Sequence, residues 1–171
     1  MPTRAIQPTC SYDCSVAYAM ASVDKKNKRE ALKSRKETKV KLDKLKTRQE
    51  HLKDAQRFFN IYIRVRDESM PCISCQRFHS GQYHAGHYRS VGASPHLRFD
   101  ENNVHKQCSA CNNHLSGNIV NFRINLINKI GREELEKLEY DNEAKHYTIE
   151  EIQAIKVKYK QLTKELKDAK E

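Results

Sequence analysis

Two cysteine pairs constrain this chain more than any other feature: Cys72-Ile-Ser-Cys75 and Cys108-Ser-Ala-Cys111. Each CxxC presents two thiolates that can share one tetrahedral zinc ion, and two pairs close a structural site. Of the 171 residues, 37% are hydrophobic and 32% charged. That composition does not support one large core. It supports a small unit held by metal and flanked by solvated helices. No apolar run approaches the ~20 residues that cross a bilayer, and the N-terminus lacks the layout of a signal peptide. The chain therefore reads as cytoplasmic, with no membrane partner. In a reducing compartment its cysteines are expected to bind metal rather than pair as disulfides.

The spacing between the pairs carries further information. Thirty-two residues separate Cys75 from Cys108, more than the ~15 to 20 of an ordinary zinc ribbon. Something sizeable is displayed between the knuckles. A zinc deaminase needs an H-x-E upstream of P-C-x-x-C, but the only histidine before Pro71 is His51, followed by Leu52 and Lys53. A Cys2His2 finger fails because its second pair should be histidines.

Composition divides the chain into four stretches. Residues 1–20 read as irregular, with Cys10 and Cys14 in a CxxxC. Residues 21–68 read as a basic helical arm, free of Gly and Pro from Ser22 to Asp67 and dense in helix formers. Its early part is polar nearly all round, while Phe58, Phe59, Tyr62, Ile63 and Val65 recur at helical spacing and predict packing on a core. Residues 69–131 are loop-rich with short strands, ending in a helix, NIVNFRINLINKI, closed by Gly131. Residues 132–171 read as C-terminal helices. Thr148 and Glu151 form a capping-box pattern, and Ile152, Ile155, Tyr159, Leu162 and Leu166 make an a/d seam. That seam fits packing on the chain's own long helix or a homodimer through the terminal helices. Two heptads are short for an independent zipper, which favours the first.

The net charge is +10 and the pI about 9.3, which favours a polyanionic partner, most often nucleic acid, over a small-molecule substrate. Basic residues well outnumber acidic ones from Lys25 to Arg66. Nothing looks like a base-reading helix, so phosphate contacts should dominate affinity.

The order CxxC, then Gly86-His87, then Asn103, then CxxC-Asn112 resembles the HNH, or His-Me finger, nucleases. The match is closer to one branch. RDESMPCISC, AGHYR, LRFDENNVHKQCSACNNHLSGN and the TIEE helix, spanning roughly residues 60 to 165, resemble the lambdoid phage NinG/Rap recombination endonuclease family. The resemblance implies an α+β fold: a small zinc-stapled ββα core flanked by long charged helices. It also implies a structure-specific DNA endonuclease that cleaves branched recombination intermediates, Holliday junctions and D-loops, by metal-assisted phosphodiester hydrolysis. By position, His87 would be the general base at the end of the first strand. Asn103, five residues before Cys108, would brace the region. Asn112, directly after Cys111, would bind a catalytic Mg2+ or Mn2+, and the zinc would be structural only.

Two departures stand out. Many HNH enzymes carry an aspartate before the base histidine as a second metal ligand, and Gly86 occupies that place here. The catalytic ion would then rest on Asn112 and waters, with His84 a lesser candidate. Cys10 and Cys14 match only the latter half of the family's zinc-ribbon-like N-terminal element. Arg89, Lys106 and His114 are candidate phosphate contacts, and His105 fits a structural role. The Gly86 departure also supports an alternative: a noncatalytic zinc-dependent module that binds and organises branched DNA.

Overall fold

The structure, a computed structural model, describes residues 10–141, 143 and 145–170. The chain divides between Lys46 and Thr47 into two compact units.

Among its described residues the first unit is one helix, α1 (Tyr12–Lys44). It begins well before Ser22, so residues 12–20 are helical rather than irregular. The cause is local. Ser11 adopts an extended backbone and its hydroxyl accepts the N–H of Cys14 at 3.2 Å, while Asp13 suits the positive end of the helix dipole. Cys10 and Cys14 lie one turn apart at this cap, with their Sγ atoms 2.9 Å from each other. The rest of the predicted N-terminal segment, residues 1–9, lies outside the described residues. Leu32, Val40 and Leu42 are each more than half exposed, so α1 carries no buried stripe within its unit and is solvated, as its polar pattern predicts.

The basic arm does not run on unbroken. Thr47 caps a second helix, α2 (Arg48–Arg66), in a full capping box with Glu50. The Thr47 hydroxyl accepts the Glu50 N–H at 3.3 Å, and the Glu50 carboxylate accepts the Thr47 N–H at 2.7 Å. This start signal, T-R-Q-E, outweighs the continuity of helix formers around it.

In the second unit the predicted apolar faces meet. The C-terminal helix α5 (Ile149–Asp168) starts at the Thr148/Glu151 capping box. Its seam packs on α2: Ile152 and Tyr159 are buried with Leu52, Ala55, Phe59, Tyr62 and Ile63, and Ile155, Leu162 and Leu166 flank them. Phe59 meets Tyr159 edge-on at 4.7 Å and Phe99 at 5.7 Å. The seam is thus covered within the chain, as its length, shorter than a zipper's, favours.

Beside this helix pair lie two short strands, β1 (Tyr83–His87) and β2 (Val104–Cys108). They pair antiparallel, with Tyr83 opposite Cys108 and His87 opposite Val104. The connection contains a 3-10 turn at Pro95–Phe99. After β2 come a π-helical turn at Ala110–His114, then α3 (Ile119–Ile130) and α4 (Arg132–Tyr140). A second core gathers Ile73, Tyr88, Leu97, Phe122, Leu126, Leu135 and Leu138. The protein is therefore helix-rich α+β with a small sheet. A lone hairpin is marginal in water, so this one depends on the helices and on the cysteine cluster at its end. No helix among the described residues is long and apolar enough to cross a membrane.

Candidate functional site

The four cysteines of the two CxxC pairs converge. The Sγ atoms of Cys72, Cys75, Cys108 and Cys111 all lie within 4.8 Å of one another, and the Cys75–Cys108 separation is 4.0 Å. Zn–S bonds of ~2.3 Å in a tetrahedron place sulfurs roughly 3.8 Å apart, so the cluster fits one metal ion such as zinc. Cys72, Cys108 and Cys111 are buried. The Asn118 amide donates to Cys111 Sγ at 3.5 Å, a contact that stabilises thiolate charge. Gly117, at φ +87°, turns the chain back so that its N–H reaches the Cys111 carbonyl at 3.0 Å.

Next to this cluster lies an open cleft of about 800 Å³. His87, at the end of β1, and Asn112, on the π-helical turn, both line it, together with Arg89 and Arg98. No Asp or Glu is among the lining residues.

Among the described residues His87 is held from one side only. Its Nε2 lies 3.1 Å from the Arg98 carbonyl oxygen. A carbonyl only accepts, so Nε2 carries the proton and the Nδ1 lone pair is the basic site. Burial pushes the His87 pKa below the ordinary histidine value, keeping the ring neutral near pH 7.

Asn103 does not supply that acceptor. It is fully buried and braces the backbone around the cleft. Its Oδ1 accepts the Arg89 N–H at 2.7 Å, and its Nδ2 donates to the carbonyls of Arg89 at 3.1 Å and Leu97 at 3.0 Å. Its own carbonyl accepts the Tyr88 N–H at 2.8 Å, extending the β1–β2 ladder past His87. Asn103 thereby joins the strand end to the 3-10 turn that carries the Arg98 carbonyl.

Asn112 donates to Asn113 Oδ1 at 2.7 Å. Its own amide oxygen has no protein partner among the described residues. A divalent ion in this cleft would find the Asn112 amide oxygen and other neutral protein donors but no carboxylate, a donor set that fits only if substrate phosphate and water complete it.

The other sequence candidates sit elsewhere. Ala85 and His87 face the cleft, and His84, on the alternate side of β1, is not among its lining residues. The His84 Nε2 is buried without a partner. The Lys106 ammonium stands 4.5 Å over the Tyr83 ring and donates to the Glu68 carbonyl at 2.7 Å, away from the cleft. His114 is exposed and does not line it. His105 is structural. The Arg66 guanidinium and the Lys129 ammonium lie 2.9 and 3.0 Å from its Nδ1, beside buried Asp67, and its Nε2 donates to the Asn102 carbonyl at 3.0 Å.

Sequence reasoning missed two residues. Arg98 anchors His87 through its backbone, and no side-chain pattern could have signalled that. Gln107 is fully buried, with Nε2 donating to Ser74 Oγ at 2.7 Å and to the Gly117 carbonyl. No alternation could have flagged it, because every residue of β2 is buried.

Comparisons with known proteins agree with one another. The family model described as "Bacteriophage Lambda NinG protein" matches residues 1–171. "Protein ninG" of Escherichia phage 933W is 48% identical over 126 residues, 74% of this chain and 63% of the relative. The proteins of the same name from Escherichia phage lambda and Salmonella phage P22 are 47% and 48% identical over 126 residues, each covering 74% of this chain and 62% of the relative. The matched stretch thus spans a little under two thirds of these curated relatives. No solved structure matches.

Proposed function

The chain belongs to the bacteriophage lambda NinG family, and on that premise we propose that it is a metal-dependent endonuclease cutting branched DNA such as Holliday junctions and D-loops. The core would be an HNH, or His-Me finger, unit built from β1, β2 and the turn after Cys111. The observation that carries the reading is the meeting of His87 and Asn112 in one cation-lined cleft, with His87 locked as an Nε2–H tautomer by the Arg98 carbonyl.

In this reading His87 Nδ1 takes the proton of the attacking water, work suited to a neutral imidazole. The Arg98 carbonyl accepts from the opposite ring nitrogen and steadies the imidazolium that forms. Asn103 keeps the His87 strand end and the Arg98 turn in fixed relation, so it is a positioning residue. Arg89 and Arg98 offer guanidinium groups to phosphate oxygens. Asn112 would hold Mg2+ or Mn2+, and the bound ion would supply charge neutralisation at the phosphate and the leaving oxygen. The four-cysteine zinc site would hold the turn that bears Asn112 and take no part in the chemistry.

A noncatalytic module that binds and organises branched DNA is the second reading. The absence of any carboxylate among the cleft-lining residues favours it. Incubating the pure protein with a labelled four-way junction, in Mg2+ or in EDTA, separates the two.

A further inference from the structure

The outer face of α2 bears three cations without an acidic partner among the described residues, Arg57 standing 5.6 Å over the Phe58 ring. Lys53, Arg57, Asn60 and Arg64 recur at intervals of four, three and four residues and share one side of the helix. The other side, Leu52, Ala55, Phe59, Tyr62 and Ile63, is buried. The three cations make no ion pair among the described residues. Their neighbours do: Arg66 is tied to Asp67 at 2.9 Å, and Lys156 of α5 takes Asp54 at 3.2 Å. No acidic residue occurs in positions 55–66.

This face opens directly into the cleft. A shallow groove of about 500 Å³ is lined by Lys53, Gln56, Arg57, Asn60, Arg64 and Arg98, among others. Gln56, Asn60 and Arg98 also line the His87 cleft. The Gln56 amide joins them, donating to Asn60 Oδ1 at 2.8 Å and accepting from Arg98 at 3.4 Å. From Lys53 to Arg64 the helix rises about 16 Å at 1.5 Å per residue, the length of about five nucleotides at 3.4 Å per step. No aromatic ring lines the groove, so it lacks the stacking platform that a single strand needs.

We infer that the Lys53–Arg57–Asn60–Arg64 face of α2 is a phosphate track that lays one duplex DNA arm against the protein and delivers its backbone, past Arg98, to His87. The track rests on the reading of the cleft as a DNA-cutting site. It assigns to α2, rather than to α1 alone, a defined share of the binding electrostatics.

The test is the salt dependence of junction binding by the full chain, read by fluorescence anisotropy with no Mg2+ or Mn2+ added and no chelator present. Each phosphate contact adds about 0.9 to the slope of log K against log salt. The variant Lys53→Gln/Arg57→Gln/Arg64→Gln should flatten that slope by about 2 to 3 and weaken binding roughly tenfold or more at 0.1 M salt. The control Lys160→Gln/Lys164→Gln/Lys167→Gln removes the same charge from exposed positions on α5 and should change the slope by less than about 1. These substitutions are on the surface, and circular dichroism checks that both variants fold. An unchanged slope in the α2 variant, or an equal change in the control, overturns the track. Wild-type cleavage of the same junction is scored separately. If wild type cuts and the α2 slope is unchanged, the track fails and the nuclease reading stands. If wild type does not cut and the slope falls as stated, the track stands and the nuclease reading fails.

Discussion

The side-chain amide of Gln107 lies over the α-carbon of Gly86, so that a β-carbon at position 86 would overlap Gln107 Oε1. The amide cannot simply turn away. Its Nε2 is held by Ser74 Oγ and the Gly117 carbonyl, and its Oε1 is buried without a partner. Gly86 is therefore fixed by packing, and the space that an aspartate side chain would need at this position is occupied. Gly86→Asp alone should lower the melting temperature by several degrees, from overpacking of about 1–3 kcal/mol and burial of a carboxylate. Adding Gln107→Ala should recover part of the loss. A double variant no more stable than Gly86→Asp in thermal denaturation would contradict the coupling.

Asn103 gives a second expectation. Asn103→Ala removes one acceptor and two donors from buried backbone groups, a cost of about 2–4 kcal/mol. Asn103→Asp keeps the acceptor for the Arg89 N–H and points a carboxylate oxygen at two carbonyls, so it should not rescue. Urea unfolding of both variants checks this. A near-wild-type Asn103→Asp protein would show that the Nδ2 bonds carry little.

Zinc removal tests the cysteine cluster. One zinc per chain is expected by elemental analysis, with chelation or Cys108→Ser collapsing the second unit, because metal-binding free energy is folding free energy in such sites. Helix α1 belongs to a separate unit and should retain its own helicity. Wild-type unfolding that is indifferent to chelator would remove the metal from the account.

The pH profile follows from His87. Burial lowers its pKa, so the neutral base survives to lower pH than an ordinary histidine. The acid limb of kcat/KM, which reports the free enzyme, should fall as pH drops through a value below 6.5. A limb centred at or above 6.5 would mean that His87 is solvated or is not the base.

These relationships differ in how far the sequence exposes them. The four clustered cysteines and the α5 seam are readable because each is a spacing, and spacing survives folding. The His87, Asn103 and Asn112 positions come from motif order, and the structure brings His87 and Asn112 to one cleft with Asn103 beneath it. The break at Thr47 was present as T-R-Q-E, though hidden in a run of helix formers. The Arg98 carbonyl and the Gln107–Gly86 contact were not readable. One is a backbone atom in a 3-10 turn, and the other is a packing event between strands that meet only in three dimensions. The unpaired α2 cations needed the positions of Asp54 and Asp67 before they could be told apart from paired ones.

The central claim is that His87 is the base of a DNA-cutting cleft, and the direct measurement is single-turnover cleavage of a labelled four-way junction by wild type and by His87→Ala. The account predicts cutting by wild type in Mg2+ or Mn2+ and none in EDTA. It also predicts that His87→Ala is slower by roughly 10²–10⁴-fold while binding the junction within about twofold of wild type. A His87→Ala protein that cuts at the wild-type rate, or a wild-type protein that leaves the junction intact in both metals, would contradict it.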